Sequence, residues 1–264
     1  MKNIKIGICG WGNVATGLFS ALNTNKATLE KNSGASFSIK VIGARRDNPK
    51  CDPGNTCIER DIFEVVNHDV DVLVELIGGV ETARELILHA IRNKKHVITA
   101  NKAVIYSHGN EIFAEAKKYG VHILFESAVC AGTPIIKLFK EELAGNNISK
   151  ISGMLNGTSN FILSKMEDGG DFEPTLKNAQ EEGYAEPDPT FDIEGTDAAH
   201  KIGILASLAY GLSLPPKNFH IEGITKIEKN DFRYAAELGY TIKHLAVAKP
   251  VSYTHLRAHE TMLH

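Results

Sequence analysis

Residues 183–201, GYAEPDPTFDIEGTDAAHK, concentrate the side chains best suited to chemistry. Glu186, Asp188, Asp192 and Glu194 stand in a proline-broken loop, and a helix is expected to follow, carrying Asp197 and Lys201. Four residues apart, those two share one helix face. A carboxylate and an amine side by side, next to an acidic loop, can hold a small zwitterion and move a proton. The plain alternative is an acidic surface loop followed by an ordinary i,i+4 ion pair. Thr196 or Asp192 is expected to cap the helix, Ala198, Ile202, Leu205 and Ala209 to form its apolar stripe, and Gly211 to end it. Asp197 and Lys201 then fall at the edge of the stripe, where a helix meets a cleft. His200 reads as a surface histidine.

A second chemical signal lies at the other end. Ile4, Ile6 and Ile8 alternate with Lys5 and Gly7, and Cys9 leads into GWGNVATG at 10–17. That is a strand, a glycine-rich turn and a helix start. Gly10 permits the tight turn, Gly12 lets a pyrophosphate approach the backbone, and Ala15 packs helix against strand. The helix N-terminus offers N–H groups and partial positive charge to phosphates. The plain alternative is a tight turn with no ligand.

The next strand, Phe37–Ala44, ends at Arg45-Arg46-Asp47. An acidic residue there would bind ribose hydroxyls, but two guanidiniums come first and match phosphate geometry. This favours NADP(H), with Asp47 leaving NAD(H) use open. The alternative is a pair of solvated arginines.

Strands and helices then alternate. Residues 24–36 read as helix end and loop, and 47–60 as irregular loop. Asp69–Ile77 reads as a buried parallel strand, 81–93 as helix, 96–99 as strand, 110–119 as helix and 121–125 as strand. Such alternation predicts a doubly wound α/β sheet, whose ligands bind beyond the carboxyl ends of the strands. Gly78-Gly79, Thr99–Lys102 and Glu126–Gly132 fall there. Lys102 either faces cofactor or substrate or caps a helix end. Glu126, with nearby turn carbonyls, can hold a monovalent cation.

Beyond Pro134 the pattern changes, and the domain boundary is placed at 133/134. A helix is expected over 135–144, a strand over 148–154, a polar turn at 155–160, and helices near 160–167 and 172–182. A strand is expected within 221–229 and a helix over 232–245.

Composition narrows the classes. The 264 residues suffice for two modest domains, and a net charge of −3 with 23% charged residues recommends no nucleic acid. No apolar run approaches the ~18 residues of a membrane span, and, since MKNIKIGICG reads as strand from the start, no signal peptide is expected. Cys9, Cys51, Cys57 and Cys130 form no CxxC pair and read as cytosolic thiols.

Taken together, GWGNVATG (10–17), ELIGG (75–79), ITANKA (98–103), GMLNGTSNFIL (153–163), GYAEPDPTFDIEGTDAAHK (183–201) and EGITKI (222–227) resemble homoserine dehydrogenase over nearly all of residues 1–250. The resemblance implies a Rossmann-type nucleotide domain (1–133) and an α+β catalytic domain (134–250). It implies reversible NAD(P)H-linked reduction of L-aspartate 4-semialdehyde to L-homoserine, on the path to threonine, methionine and isoleucine, by a cytoplasmic homodimer. By it Lys201 is the proton donor; on charge alone, Lys102 is a second cation that could face the same oxygen or orient substrate. Glu186 and Asp197, with Asp192 of the same loop, bind substrate. Gly10, Gly12, Asn13, Val14, Arg45, Thr99, Lys102 and Gly183 lie around the cofactor, and Arg46 stands with Arg45. A Na+ or K+ site uses Glu126 and the carbonyls of Val129, Ala131 and Thr133.

Two departures stand out. Cys130 and Ala131 occupy positions where the family more often has glycine or alanine. The family pattern also stops near residue 250, and 252–261 (SYTHLRAHET) resembles translated sequencing-adapter read-through. Residues 251–264 are therefore expected to be a non-native tail on a shortened enzyme, for which a nucleotide-binding fragment without turnover is the rival reading. A semialdehyde dehydrogenase forming an acyl-enzyme would need Cys130 as nucleophile. Another semialdehyde or imine reductase on the same scaffold is the remaining alternative.

Overall fold

The computed structural model describes residues 1–217, 220–251, 255–258 and 261–263. Two compact units divide it, Met1–Pro134 and Ile135–His264.

In the first unit the alternating isoleucines form β1 (Lys2–Cys9), with Ile6, Ile8 and Cys9 buried. The glycine turn leads into α1 (Asn13–Thr24), followed by α2 (Lys26–Ser33), β2 (Ala35–Gly43) and β3 (Cys57–Glu59). Then come β4 (Val72–Glu75), α3 (Glu81–Arg92), β5 (His96–Thr99), α4 (Lys102–Tyr119) and β6 (Ile123–Leu124). The strands form one parallel sheet in the order β3-β2-β1-β4-β5-β6. The order reverses at β1, so the crevice for a ligand opens at its carboxyl end, beside Gly10. Ala83, Leu86, Ile87, Ala90 and Ile91 give α3 an i, i+3, i+4, i+7, i+8 buried face.

Three local readings need correction here. Residues 24–36 hold a second helix, α2, closed by Gly34 at φ 69. The loop at 47–60 contains β3, an edge strand whose three residues are too few to show alternation. The helix expected from 110 begins eight residues earlier, because the Asn101 side chain accepts the Val104 N–H and caps it.

The second unit opens with α5 (Ile135–Lys137), continued to Glu142 by a wider turn, then β7 (Ile151–Gly153). Helices α6 (Gly157–Glu167), α7 (Phe172–Glu181), α8 (Thr190–Ile193), α9 (Thr196–Tyr210) and α10 (Lys229–Glu237) follow. Strands β8 (Ile242–His244), β9 (Ala246–Val251), β10 (His255–Ala258) and β11 (Thr261–Leu263) close the chain. β9 pairs antiparallel with β7 and β10, and β8 with β11. Ala198, Ile202 and Ala206 of α9 bury against Ala246 and Ala248 of β9.

Here too the structure departs from expectation. The 155–160 turn is the entry of α6, with Asn156 as its cap. The expected 221–229 strand is a loop, since Ile221, Ile224 and Ile227 recur every third residue and only Ile224 is buried. The helix expected over 232–245 breaks at Gly239, φ 77, and resumes as β8. Neither Thr196 nor Asp192 caps α9. Its cap is Gly195 at φ 82, where a Cβ would stand 2.8 Å from the Glu222 carbonyl oxygen. No helix among the described residues is long and apolar enough to cross a membrane.

Candidate functional site

The nucleotide end of the first unit is built on β1. Gly10 adopts φ +102, and a Cβ there would meet the Leu76 carbonyl oxygen at 2.5 Å, so only glycine fits. Gly12 has nothing within 4 Å of where a Cβ would be, which leaves the backbone open to a ligand. It caps α1 without a side-chain hydrogen bond, and Gly12, Asn13 and Val14 are exposed while Ala15 is buried. An open glycine cap at a twelve-residue helix start suits a dinucleotide pyrophosphate.

At the end of β2, Arg45 and Arg46 are exposed. Asp47 is engaged: Arg60 donates to its Oδ1 at 2.7 Å and, through its other terminal nitrogen, to the Ala44 carbonyl at 3.1 Å. The carboxylate that follows Arg45 and Arg46 thus pairs with a third arginine. That arginine follows the short strand β3, which gave no sequence signal.

Thr99 and Lys102 lie beyond the carboxyl end of β5. The Thr99 hydroxyl is buried and donates to Glu75 Oε2 at 2.5 Å, so its side chain is committed to the protein. Lys102 opens α4 immediately after its Asn101 cap. Glu126, Val129, Ala131 and Thr133 occupy one tight segment, in which Val129 N–H donates to the Glu126 carbonyl and Gly132 takes φ 81. No cluster of three or more His, Cys, Asp or Glu side chains that could hold a metal occurs among the described residues. A cation here would rest on one carboxylate and backbone carbonyls, an oxygen-only donor set of the kind hard cations take.

The second unit brings together Asp192, Asp197 and Lys201. Asp197 is 4% exposed. Lys201 donates from Nζ to Asp197 Oδ2 at 2.7 Å and to the Leu155 carbonyl at 2.7 Å. Asn156 Nδ2 donates to Asp192 Oδ1 at 2.7 Å and to Asp197 Oδ2 at 2.9 Å, while its Oδ1 accepts the Ser159 N–H at 2.7 Å. Asn160 then donates to the carbonyls of Asn156 and His244 and accepts the His244 N–H. His244 is buried, and burial holds its imidazole below the usual range against the opposing pull of the Glu222 carbonyl and Asp197. Glu186 is exposed, with its backbone carbonyl accepting from Gln180 Nε2 at 3.0 Å. Gly183 is exposed at φ 80, just past α7.

The family model for the homoserine dehydrogenase NAD-binding domain matches residues 10–126, and that for homoserine dehydrogenase matches 134–264. The chain belongs to the homoserine dehydrogenase family. The homoserine dehydrogenase of Pseudomonas aeruginosa is 52% identical over all of this chain and 61% of its own length. The crystal structure of a homoserine dehydrogenase from Thiobacillus denitrificans is 45% identical with a TM-score of 0.92, covering 98% of this chain and 61% of that one. A hyperthermophilic archaeal homoserine dehydrogenase in complex with NADPH is 26% identical with a TM-score of 0.79, covering 97% of this chain and 81% of that one. The chain therefore spans about three-fifths of the length of the bacterial relatives. The family match also runs to residue 264, past the point where the motif resemblance stops. The tail reading of 251–264 falls on residues whose side chains all lie outside those described.

Two polar residues at the centre of these contacts escaped sequence reasoning as site residues. Asn156 sits in the NGTSN motif but was legible only as part of a turn. Glu75 closes β4 and opens the ELIGG motif, and was legible only as one polar residue in an apolar run.

Proposed function

We propose that this chain carries the chemistry of homoserine dehydrogenase, the NADP(H)-preferring, reversible interconversion of L-aspartate 4-semialdehyde and L-homoserine. The observation that carries the proposal is the setting of Lys201. An ammonium has three donors, and two of them go to Asp197 and Leu155. The third is left for a substrate oxygen, with its direction set by the other two.

A bound nicotinamide supplies the hydride for reduction. As negative charge grows on the aldehyde oxygen, Lys201 stabilises it and then gives up a proton, leaving a neutral amine and a hydroxyl. In the reverse direction the neutral amine takes the hydroxyl proton. Asp197 steadies the ammonium form in both directions, and Asn156 holds Asp197 in place. Glu186 and Asp197, with Asp192, provide carboxylates for the substrate ammonium. Gly10, Gly12, Asn13 and Val14 receive the cofactor phosphates, Arg45 and Arg46 its 2′-phosphate, and Thr99, Lys102 and Gly183 complete its surroundings. Lys102 is the second cation assigned to catalysis. Glu126 and the carbonyls of Val129, Ala131 and Thr133 form the monovalent cation site.

The nucleotide domain is assigned to 1–133 and the catalytic domain to 134–250; the tail reading of 251–264 has against it the family match that runs to 264. The free thiols Cys9, Cys51 and Cys57 support a cytoplasmic location, and a homodimer is the proposed assembly. The deciding experiment is NADPH oxidation with L-aspartate 4-semialdehyde, run beside NADPH binding. Turnover supports the reading. Binding without turnover supports the rival, a nucleotide-binding fragment.

A further inference from the structure

Glu75 is the last residue of β4, and in the parallel register it stands beside Thr99, the last residue of β5. Its side chain is fully buried at 0% exposure. A carboxylate so placed needs compensation, and hydrogen bonds from Thr99, Ile77, Gly78 and Asn101 supply it from both turns. Thr99 Oγ1 donates to Oε2 at 2.5 Å, and Ile77 N–H donates to Oε1 at 2.9 Å. Thr99 Oγ1 itself accepts the Asn101 N–H at 2.9 Å, so the single hydroxyl hydrogen is committed to Glu75. Asn101 Nδ2 then donates to the Gly79 carbonyl at 2.6 Å. The ring closes through Gly78 and Gly79, both at φ +73, back to Ile77.

This ring couples two separate turns, 76–80 after β4 and 100–104 after β5. We propose that Glu75 is a positioning residue of the nucleotide end, whose carboxylate joins the two turns and thereby fixes the backbone that presents Lys102. The linkage is short. Glu75 holds Thr99, Thr99 orients Asn101, and Asn101 caps the helix whose first residue is Lys102. The inference rests on the cofactor reading above only for its consequence in binding.

Glu75→Gln keeps shape but turns one acceptor into a donor, which must face either Ile77 N–H or the Thr99 hydroxyl. Thr99→Val cuts the ring at its second link, and Thr99→Ser restores the hydroxyl. The test is hydrogen exchange on the full chain together with NADPH titration. Glu75→Gln and Thr99→Val should each raise exchange in both turns by about tenfold, with β1 unchanged and Thr99→Ser near wild type. NADPH binding should weaken by about tenfold in Glu75→Gln, a residue outside the set that surrounds the cofactor. If Glu75→Gln loosens 76–80 alone, or if it binds NADPH as tightly as the wild type, the positioning role is overturned. A wild-type chain that fails to bind NADPH would overturn the cofactor reading, and the exchange pattern would still decide whether Glu75 joins the turns.

Discussion

Asn156 reaches across 41 residues of sequence to donate to Asp197 Oδ2 at 2.9 Å. Its second amide hydrogen goes to Asp192 Oδ1 at 2.7 Å, so one neutral side chain spans two carboxylates. Its carbonyl oxygen meanwhile caps α6. Asn156→Ala should therefore lose a cap and a donor to a buried charge together. A loss of about 2–4 kcal/mol is expected, read as a shift in the urea midpoint. Asn156→Asp keeps the capping oxygen but places a third carboxylate between the two. It should cost more activity than stability, and equal losses would count against the bridging role.

Arg45 and Arg46 end β2 exposed, while Asp47 is drawn to Arg60. Replacing Arg45 and Arg46 together with Ala should weaken NADPH binding by about 10–100-fold, as expected for charge-assisted bonds to phosphate. NADH binding should change far less. Parallel titrations of the two cofactors check this, and equal losses would remove the 2′-phosphate assignment.

His244 gives a pH prediction with a definite sign. Burial lowers its pKa in the folded state, opposed by the Glu222 carbonyl and the Asp197 charge. The unfolded chain, with an ordinary value of about 6.5, then binds more protons than the folded one just below that pH. Stability should be fully present above about pH 6.5 and fall as pH drops through the lower, folded value. Urea midpoints from pH 8 to pH 5 should show this fall in the wild type and a smaller one in His244→Asn. An identical pH dependence in both proteins would exclude His244 as its source.

What could be read from the sequence was mainly local. The strand, glycine turn and helix at 2–24 announce themselves because each residue acts on its neighbours: Gly10 by its φ, Ala15 by its size. The contact of Asp197 with Lys201 was legible for the same reason, since helical spacing alone brings them together. The rest of the site is made by distant chain. The Leu155 carbonyl that holds Lys201 is 46 residues away and leaves no side-chain signature. Glu75 and Thr99 meet only once the sheet order is known. The α10–β8 break turns on Gly239, which an apolar periodicity across 232–245 hides. Gly223 was equally mute. Its lack of a Cβ matters because one would lie 2.3 Å from the Ile193 carbonyl oxygen, at the entry to α9.

Lys201 carries the decisive prediction. As an exposed helix pair its contact with Asp197 would be worth roughly 0.3–0.5 kcal/mol. The two side chains are 19% and 5% exposed, so removing the lysine strands a buried carboxylate, which costs about 3–5 kcal/mol. Lys201→Ala should therefore be both unstable and inactive, and activity loss alone would prove little. Asp197→Asn separates the effects. The double variant Asp197→Asn/Lys201→Ala has no stranded charge, so its urea midpoint should recover well above that of Lys201→Ala. Its kcat should stay about 10²–10⁴-fold down, the usual range for a positioned acid. Lys201→Arg keeps the charge but hardly releases a proton, and it should remain slow. NADPH titration of each variant should match the wild type, because the glycine turn belongs to the other unit. Near-normal kcat in the folded double variant would end the proton-donor claim, and a collapse confined to Lys102→Ala would move that role to Lys102.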